Sequence, residues 1–354
     1  MAPVTRPARA SLMDIARHTG LSLATVSRVM GNSPHPISPR TRERVLEVAR
    51  ELGYMPNAIA RALAAGTSRT FGVVIGDITD TYFSNIVRGV EDVAREHDHI
   101  TVICNTQRQP REEAAAVRSL LAQNAAAILL AGGYFPPGAK THDLRPLLAA
   151  SSTRVISLAD RDLPGATIFT SDNEAVTFDL ANYLIQLGHR RIAFVGGPPG
   201  FSVSLQFQAG FERAMQAAGL DATNQLPDGG FGLEFGYAAG AALLARGLPD
   251  AVISVSDDTA IAIIDTLAAA GIDVPGQVSV VGVDDAKYSQ LFDLTTARLP
   301  SYELGVSGAR HALGLDAVAL GQRVVLPHRI IPRGSTAPAH GRQPRGLSRR
   351  KPRD

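Results

Sequence analysis

The sequence predicts a chain of two parts, a small all-α N-terminal unit followed by a large α/β body. Residues 11–56 contain three short amphipathic helical patterns, whereas residues 71–338 alternate buried-strand and amphipathic-helix patterns. Charge is also divided unevenly between the two parts. With 354 residues, 45% of them hydrophobic, the chain is long enough to bury cores in two or three domains.

Residues 11–31 carry the signals of two short helices joined by a tight turn. We expect Ser11 to cap the first helix together with Asp14, and Gly20 to take the left-handed conformation that ends it. Ser22 is the expected cap of the second helix. Such a pair has the geometry of a helix–turn–helix that presents its second helix to the DNA major groove. An ordinary helical hairpin is the alternative that spacing alone leaves open.

Two more helical segments follow this pair. A third helix is expected to start at the Ser38-Pro39 pair and to end at Gly53. Residues 57–65, NAIARALAA, then form a helical pattern that is too short to be stable alone. The loop GNSPHPISP, between the second and third helices, contains three prolines.

The formal net charge of +2 combines parts of opposite sign. Residues 1–69 carry +6 and residues 342–354 carry +5, whereas the rest of the chain carries −9. A basic unit joined to an acidic body is typical of a protein that binds nucleic acid through one part only. Residues 339–354 are expected to form a basic disordered tail, either a solubilising end or an auxiliary DNA contact.

Composition and motifs argue against several other classes of protein. The single cysteine, Cys104, excludes a disulfide framework and suits a reducing cytoplasm. No apolar run reaches the ~18 residues of a membrane span, and the first residues lack the apolar core of a signal peptide. No Walker loop, metal-ligand spacing or nucleophile elbow occurs, so we expect no catalytic residue, no metal and no cofactor.

The body contains seven candidate buried strands with amphipathic helices between them. These strands are residues 71–76, 100–105, 126–132, 154–159, 190–197, 251–256 and 278–285. Alternation of this kind predicts parallel sheets with helices on both faces. A ligand site is then expected at the carboxyl ends of the strands.

The stretches SLMDIARHTGLSLATVSRVMG and SPRTRERVLEVARELGYMPNAIARALAAGTSRTFGVV make residues 11–75 resemble the headpiece and hinge helix of LacI/GalR (lactose-repressor) family regulators. The body resembles the periplasmic-binding-protein-like core of that family, two α/β subdomains around a cleft. The resemblance implies a cytoplasmic, nucleoid-associated repressor that binds a pseudopalindromic double-stranded DNA operator as a homodimer, with no membrane partner. It also implies a small-molecule effector, a sugar or related metabolite, that alters operator affinity by allostery. The alternative is a ligand-binding sensor of the periplasmic type without operator function.

The same resemblance suggests domain boundaries. Subdomain 1 is expected at about 71–165 and 291–320, and subdomain 2 at about 166–290 and 321–338. The other expected segments are a flexible N-terminus (1–10), the DNA-binding domain (11–56), the hinge helix and linker (57–70) and the tail (339–354).

In this family the positions that match Leu23, Ala24 and Arg28 choose the operator sequence. An arginine can donate to guanine O6 and N7, whereas leucine and alanine offer apolar contacts such as one to a thymine methyl group. A phosphate contact or a solvated charge is the alternative for Arg28, and packing inside the unit is the alternative for Leu23. Hydroxyl side chains suit phosphate oxygens. The remaining candidate DNA-binding residues of the second helix are Ser22, Thr25 and Ser27.

The hinge adds three candidate DNA-binding residues, Asn57, Arg61 and Leu63. Asn57 is a plausible helix cap. By resemblance, the segment becomes ordered when two copies meet on the operator, and Leu63 is inserted into the minor groove as a wedge. The alternative is that Leu63 packs a surface helix.

The resemblance also suggests effector-binding residues in the cleft. These are Tyr82, Phe83, Asp160, Arg161, Phe207, Asp257 and Asp284. The aspartates follow strands, where carboxylates can accept hydrogen bonds from ligand hydroxyl groups, although a helix N-cap is the alternative for Asp257 and Asp284. Phe207 stands where the family usually has an arginine that grips the effector. Because phenylalanine donates no hydrogen bond, we expect an unusual effector that is less polar or aromatic, unless Arg161 or Arg213 substitutes.

Overall fold

The computed structural model describes residues 10–31, 35–55, 68–132, 144–161, 163–226 and 229–339. It divides the chain between Arg69 and Thr70 into two compact units. Among the described residues, no helix combines the length and apolar character needed to cross a bilayer.

The described part of the N-terminal unit contains three helices, α1 (Leu12–Thr19), α2 (Leu23–Met30) and α3 (Pro39–Glu51). The capping box that the sequence predicts is present, because the Ser11 amide donates to Asp14 at 2.9 Å and the Asp14 amide donates to the Ser11 hydroxyl at 3.3 Å. Gly20 ends α1 with φ of 68°, and the Ser22 hydroxyl caps α2. The predicted helix–turn–helix is therefore confirmed.

A small apolar core holds the three helices together. Its fully or almost fully buried side chains are Ile15, Val26, Val29, Val45 and Ala49. These positions recur at helical spacing, so each short helix turns one face inward. The opposite faces of the helices remain free for other contacts.

Twelve strands occur among the described residues of the second unit. They are β1 (Thr70–Ile75), β2 (Ile100–Asn105), β3 (Ala127–Leu130), β4 (Arg154–Ser157), β5 (Thr167–Ser171), β6 (Ile192–Val195), β7 (Gln225–Leu226), β8 (Ala251–Ser254), β9 (Ser279–Val283), β10 (Thr295–Arg298), β11 (Arg323–Leu326) and β12 (Arg329–Ile331). The seven strands that the sequence predicts are all present.

These strands form two six-stranded sheets, which define subdomains 1 and 2. The first sheet has the order β11-β5-β4-β3-β1-β2, and all of its pairs are parallel. The second has the order β12-β10-β9-β8-β6-β7, with β12 antiparallel at its edge. Each sheet lies between two apolar clusters, as predicted for sheets with helices on both faces.

Eight helices cover the sheets in the described part of the second unit. They are α4 (Thr81–Glu96), α5 (Pro110–Ala122), α6 (Arg145–Ala149), α7 (Asn173–Gln186), α8 (Ser202–Ala217), α9 (Leu233–Arg246), α10 (Asp257–Ala269) and α11 (Ser301–Ala312). A short 3₁₀ helix, Lys287–Gln290, follows β9.

Close approach of two helix backbones fixes the α7–α8 pair. A Cβ atom added at Gly210 of α8 would lie 2.0 Å from the Glu174 carbonyl oxygen of α7. Since no side chain tolerates that distance, glycine is required for the observed packing.

The subdomain boundaries that the strand pairing defines differ from those expected from the sequence. β5 and β11 pair with each other in the first sheet, although residues 166–171 and 321–326 were expected in subdomain 2. β10 pairs with β9 in the second sheet, although residues 295–298 were expected in subdomain 1. The chain therefore passes between the sheets after Ser171, after Arg298 and after Leu326, because strand pairing continues to these residues.

Candidate DNA-recognition surface and ligand cavity

Helix α2 has one buried face and one exposed face. Val26 and Val29 are buried in the core of the unit, whereas Ala24, Ser27 and Arg28 are exposed. Leu23 is 46% exposed and is not part of the core cluster, which disfavours the alternative that it packs inside the unit. The structure thus brings Leu23, Ala24, Ser27 and Arg28 to the surface on two turns of one helix.

The hydroxyl groups at the start of α2 have an internal role as well. The Ser22 and Thr25 hydroxyls lie 2.8 Å apart, and the Thr25 amide donates to the Ser22 hydroxyl at 3.1 Å. Among the described residues, none forms an ion pair with Arg28. Asn57, Arg61 and Leu63 of the expected hinge lie outside the described residues.

The second unit contains a cavity of about 120 Å³ at the carboxyl ends of strands from both sheets. Its lining residues are Asp80, Tyr82, Phe83, Arg108, Ala131, Gly132, Ala159, Asp160, Thr170, Ser171, Asn173, Phe201, Ser202, Val203, Gln206, Phe207, Phe231, Val255, Asp284 and Leu299. Five of the seven expected effector-binding residues are in this lining, namely Tyr82, Phe83, Asp160, Phe207 and Asp284. Asp160 and Asp284 follow strands β4 and β9, as expected for an α/β fold, whereas Tyr82 and Phe83 lie in the first turn of α4 and Phe207 lies in α8.

Arg161 does not line the cavity, although it follows β4 as expected. Its guanidinium donates to the Glu113 carboxylate at 2.8 and 3.1 Å and to the Gly132 carbonyl oxygen at 3.0 Å. Both side chains of the ion pair are buried, and burial raises the pKa of Glu113. Arg161 therefore holds α5 against the sheet, and its guanidinium does not face the cavity as the expected ligand contact would.

Asp257, the first residue of α10, is also outside the cavity lining. Its carboxylate accepts hydrogen bonds from the Ser289 hydroxyl at 2.6 Å, the Thr296 hydroxyl at 2.6 Å and the Ala286 amide at 2.8 Å. Burial raises its pKa to about 6 in spite of these donors. The helix cap is the neighbouring Ser256, so Asp257 instead anchors the loop that follows β9.

Arg213, the other expected substitute for the missing arginine, lies elsewhere. Its guanidinium forms an ion pair with Glu174 at 2.7 Å, is centred 4.3 Å from the Phe178 ring, and is half exposed. It is absent from the cavity lining.

The arginine that the structure does place in the cavity wall is Arg108. Its guanidinium forms ion pairs with Asp77 at 3.2 Å and Asp80 at 2.8 Å. It lies 5.8 Å from the Phe83 ring centre and 5.5 Å from that of Phe231, within the range of cation–π attraction. Arg108 and Phe231 were not among the residues predicted from the sequence to line the site. The sequence did contain a signal for Arg108, because it follows β2 closely and the carboxyl ends of all strands in this parallel sheet lie at the same edge.

A chain of hydrogen bonds crosses the cavity from one subdomain to the other. The Asn173 side-chain amide donates to Gln206 at 2.9 Å, and the Gln206 amide donates to Asp160 at 3.1 Å. Arg323 of β11 pairs with the same Asp160 carboxylate at 2.9 Å. These contacts join α7 and α8 of subdomain 2 to β4 and β11 of subdomain 1.

Asp284, at the end of β9, differs from the other carboxylates of the cavity. Among the described residues, none donates a hydrogen bond to its side chain or forms an ion pair with it. Loss of solvent raises the pKa of Asp284 well above its usual range, and the negative charges of Asp80 and Asp257 add to the effect. Its backbone φ is 116°, a conformation that residues other than glycine rarely adopt.

Comparison with known protein families matches both units. Residues 11–57 match the model of bacterial regulatory proteins of the lacI family. Residues 181–336 match the periplasmic binding protein-like domain.

Individual relatives match over almost their full length. Catabolite control protein A of Staphylococcus xylosus is 30% identical over 335 residues, which are 92% of this chain and 99% of the relative. The lac repressor dimer bound to operator and the anti-inducer ONPF superposes with a TM-score of 0.81 at 25% identity, covering 93% of this chain and 100% of the repressor chain. The transcriptional regulator CelR–cellobiose complex gives 0.65 at 26% identity, covering 92% and 100%.

A helix–turn–helix unit together with a two-sheet body around a ligand cavity defines a ligand-responsive, DNA-binding transcription regulator. The chain belongs to the lacI family of bacterial regulatory proteins.

Proposed function

We propose that this regulator is a dimeric repressor that reads a pseudopalindromic operator through α2 and releases or retains it according to the occupancy of the cavity. The exposed face of α2 supports this proposal most directly, because it offers apolar and cationic side chains that the fold of the unit does not use. Two half-sites would be about one helical turn of DNA apart. Binding to the bacterial chromosome would place the protein at the nucleoid in the cytoplasm, and we propose no enzymatic activity for it.

The residues of α2 are assigned by their chemistry. Arg28 is the side chain that donates to guanine O6 and N7, while Leu23 and Ala24 make apolar contacts with base edges. Ser22, Thr25 and Ser27 contact phosphate oxygens, which position the helix without reading sequence.

Asn57, Arg61 and Leu63 are proposed to form the hinge contact on the basis of sequence resemblance alone. There Leu63 would enter the minor groove and kink the central base step.

The cavity is proposed as the effector site. Both subdomains contribute to its wall, so a ligand that contacts both favours one arrangement of the two over others. Operator affinity and ligand affinity are then coupled by the same factor in both directions. We propose Tyr82, Phe83, Asp160, Phe207 and Asp284 as its contacts, together with Arg108 and Phe231. The solved relative CelR was obtained with cellobiose, so a sugar-like metabolite is the starting class for an effector screen.

Operator selection from random duplexes, followed by titration of the full-length protein, tests the DNA-binding part. Arg28→Ala should weaken binding to the selected operator by about 1–3 kcal/mol and relax discrimination at one base pair of each half-site. Arg50→Ala, the same charge change at an exposed position of α3, is the matched control and should preserve the sequence preference. Equal loss on selected and random DNA for Arg28→Ala would contradict its role in base recognition. Ligand binding without any operator selection would instead favour a sensor.

A further inference from the structure

We infer that the ligand of the cavity is a compact organic cation, with an aromatic or apolar body and a protonated nitrogen that pairs with Asp284. This inference rests on the proposed effector site and names the chemistry that the site would select.

The charges of the cavity wall lead to this inference. Three lining carboxylates belong to Asp80, Asp160 and Asp284. Asp80 is paired with Arg108, and Asp160 is paired with Arg323. Asp284 is left without a partner among the described residues, so it is the lining carboxylate that has no paired cation to balance its charge when it ionises.

An isolated carboxylate away from water is unstable unless it takes up a proton or meets a positive partner. The pKa of Asp284 is raised for this reason, as is that of Asp80 on the opposite subdomain. The Tyr82 hydroxyl lies within the field of both carboxylates and has no hydrogen-bond partner among the described residues. A protonated nitrogen would pair with the ionised Asp284 carboxylate, and a second N–H of the same group would donate to the Tyr82 hydroxyl oxygen.

Aromatic rings supply much of the remaining wall. The aromatic lining residues are Tyr82, Phe83, Phe201, Phe207 and Phe231. The faces of aromatic rings attract cations, and they also pack well against apolar or aromatic bodies. The cavity already shows this preference, because the Arg108 guanidinium lies near the faces of Phe83 and Phe231, one from each subdomain.

The polar amides of the wall are less suited to a sugar. Asn173 and Gln206 bond to each other, and Gln206 also bonds to Asp160. A hexose presents many hydroxyl groups that each need a donor or an acceptor once buried. At position 207 the wall offers a ring in place of a donor, so the unpaired groups of the cavity match one cationic centre better than a ring of hydroxyls.

Isothermal titration of the full-length protein with three probes of one skeleton tests the inference. The probes are 2-phenylethylamine, 2-phenylethanol and phenylacetate, which differ in charge at nearly constant shape. We expect the amine to bind at least tenfold more tightly than the alcohol, and phenylacetate not to bind. Asp284→Asn should reduce the preference for the amine to less than threefold. Asp265→Asn, the same change at an exposed position of α10, should leave it unchanged.

The pH dependence provides an independent readout. The charged and titratable groups around Asp284 include Asp80 and Tyr82 of subdomain 1, with Arg108 paired to Asp80, and Asp257 and Asp258 of α10. On its other side Asp284 shares a surface pocket with Arg88, Asp285, Arg298, Tyr302 and Glu303. Because Asp284 must lose its proton to pair with the amine, affinity for 2-phenylethylamine should rise from pH 5 to pH 8. Affinity for 2-phenylethanol should not rise, and Asp284→Asn should abolish the rise.

Several outcomes would overturn the inference. They are equal affinity for amine and alcohol, preference for phenylacetate, tight binding of glucose or cellobiose, or occupancy of the cavity by Mg²⁺ alone in competition with the amine. Gel shifts with the selected operator separate this from the proposed function. If cellobiose binds and changes operator affinity, the proposal of an effector site is supported and the inference of a cationic ligand is wrong. If the amine binds but no operator is ever selected, the inference of a cationic ligand is supported and the proposed operator function is contradicted.

Discussion

Asp257→Ala should destabilise the second unit, because this carboxylate is the shared acceptor of three buried donors. The substitution leaves the Ser289 and Thr296 hydroxyls and the Ala286 amide without their partner. A hydrogen bond to a charged group contributes about 1.5–3 kcal/mol, but the two hydroxyls can rotate towards other acceptors. The fixed Ala286 amide cannot, so we expect a net loss of about 3 kcal/mol in the free energy of unfolding at pH 8.

The loss should be larger in acid. The pKa of Asp257 in the fold is about 6, above its ordinary value of 3.8. A raised carboxyl pKa means that the folded state holds the proton more tightly than the unfolded state, so the contribution of Asp257 to wild-type stability is largest below about pH 4 and is lost as pH rises through about 6. The alanine variant lacks this dependence. The difference between the two proteins should therefore be about 1–2 kcal/mol greater at pH 5 than at pH 8.

Urea unfolding of the full-length proteins at pH 5 and pH 8, followed by circular dichroism, measures both effects. A loss of about 3 kcal/mol corresponds to a fall in the melting temperature of the second unit of roughly 6–12 °C. Asp265→Ala, an exposed change on the same helix, should stay within about 0.5 kcal/mol of wild type. A loss below about 1 kcal/mol for Asp257→Ala, or a larger loss at pH 8 than at pH 5, would refute this account of the carboxylate.

Two further predictions concern packing around the sheets. Arg161→Ala should reduce the free energy of unfolding by about 3–5 kcal/mol in urea titrations, because it leaves Glu113 buried without its cation. Arg213→Ala breaks a half-exposed ion pair and should cost less than about 1 kcal/mol, so similar losses for both would contradict the burial argument. Gly210→Ala should lower the melting temperature through a loss of about 1–3 kcal/mol, since its Cβ atom would overlap the Glu174 carbonyl oxygen of α7. An unchanged melting temperature would show that α7 and α8 separate without strain.

The N-terminal unit could be predicted from sequence in detail, because its signals are local. Each helix start is marked by a serine whose hydroxyl caps a backbone amide three residues later, as at Ser11, Ser22 and Ser38. Gly20 supplies the left-handed turn. All of these interactions lie within one helical turn, so the residues themselves carry the information.

The boundaries of the subdomains depend on pairing between residues that are far apart. β5 lies beside β11, about 150 residues later, and this pairing keeps both strands in the first sheet. Neither strand has a local feature that names its partner. The order of strands and helices was therefore predictable, whereas the crossing points were not.

In the cavity, too, some residues could be predicted from local sequence and others depend on contacts between distant residues. Strand ends indicated Tyr82, Asp160 and Asp284 correctly as residues of one edge, because parallel strands bring their carboxyl ends together. Arg161 also follows a strand, but its guanidinium is paired with Glu113, 48 residues away, and therefore does not reach the cavity. Competition of this kind has no signature in the sequence.

The backbone of Asp284 has a consequence for the evolution and engineering of this site. Its φ of 116° is natural for glycine but costs an aspartate about 1–3 kcal/mol. Asp284→Gly should therefore relax the backbone and raise the melting temperature of the second unit, measured by calorimetry, while removing the unpaired carboxylate. A variant that melts at a lower temperature would show that the side chain supports the fold. If Asp284 holds the effector as proposed, stability and ligand recognition favour different residues at this position, and screens for thermostability alone would select against ligand recognition.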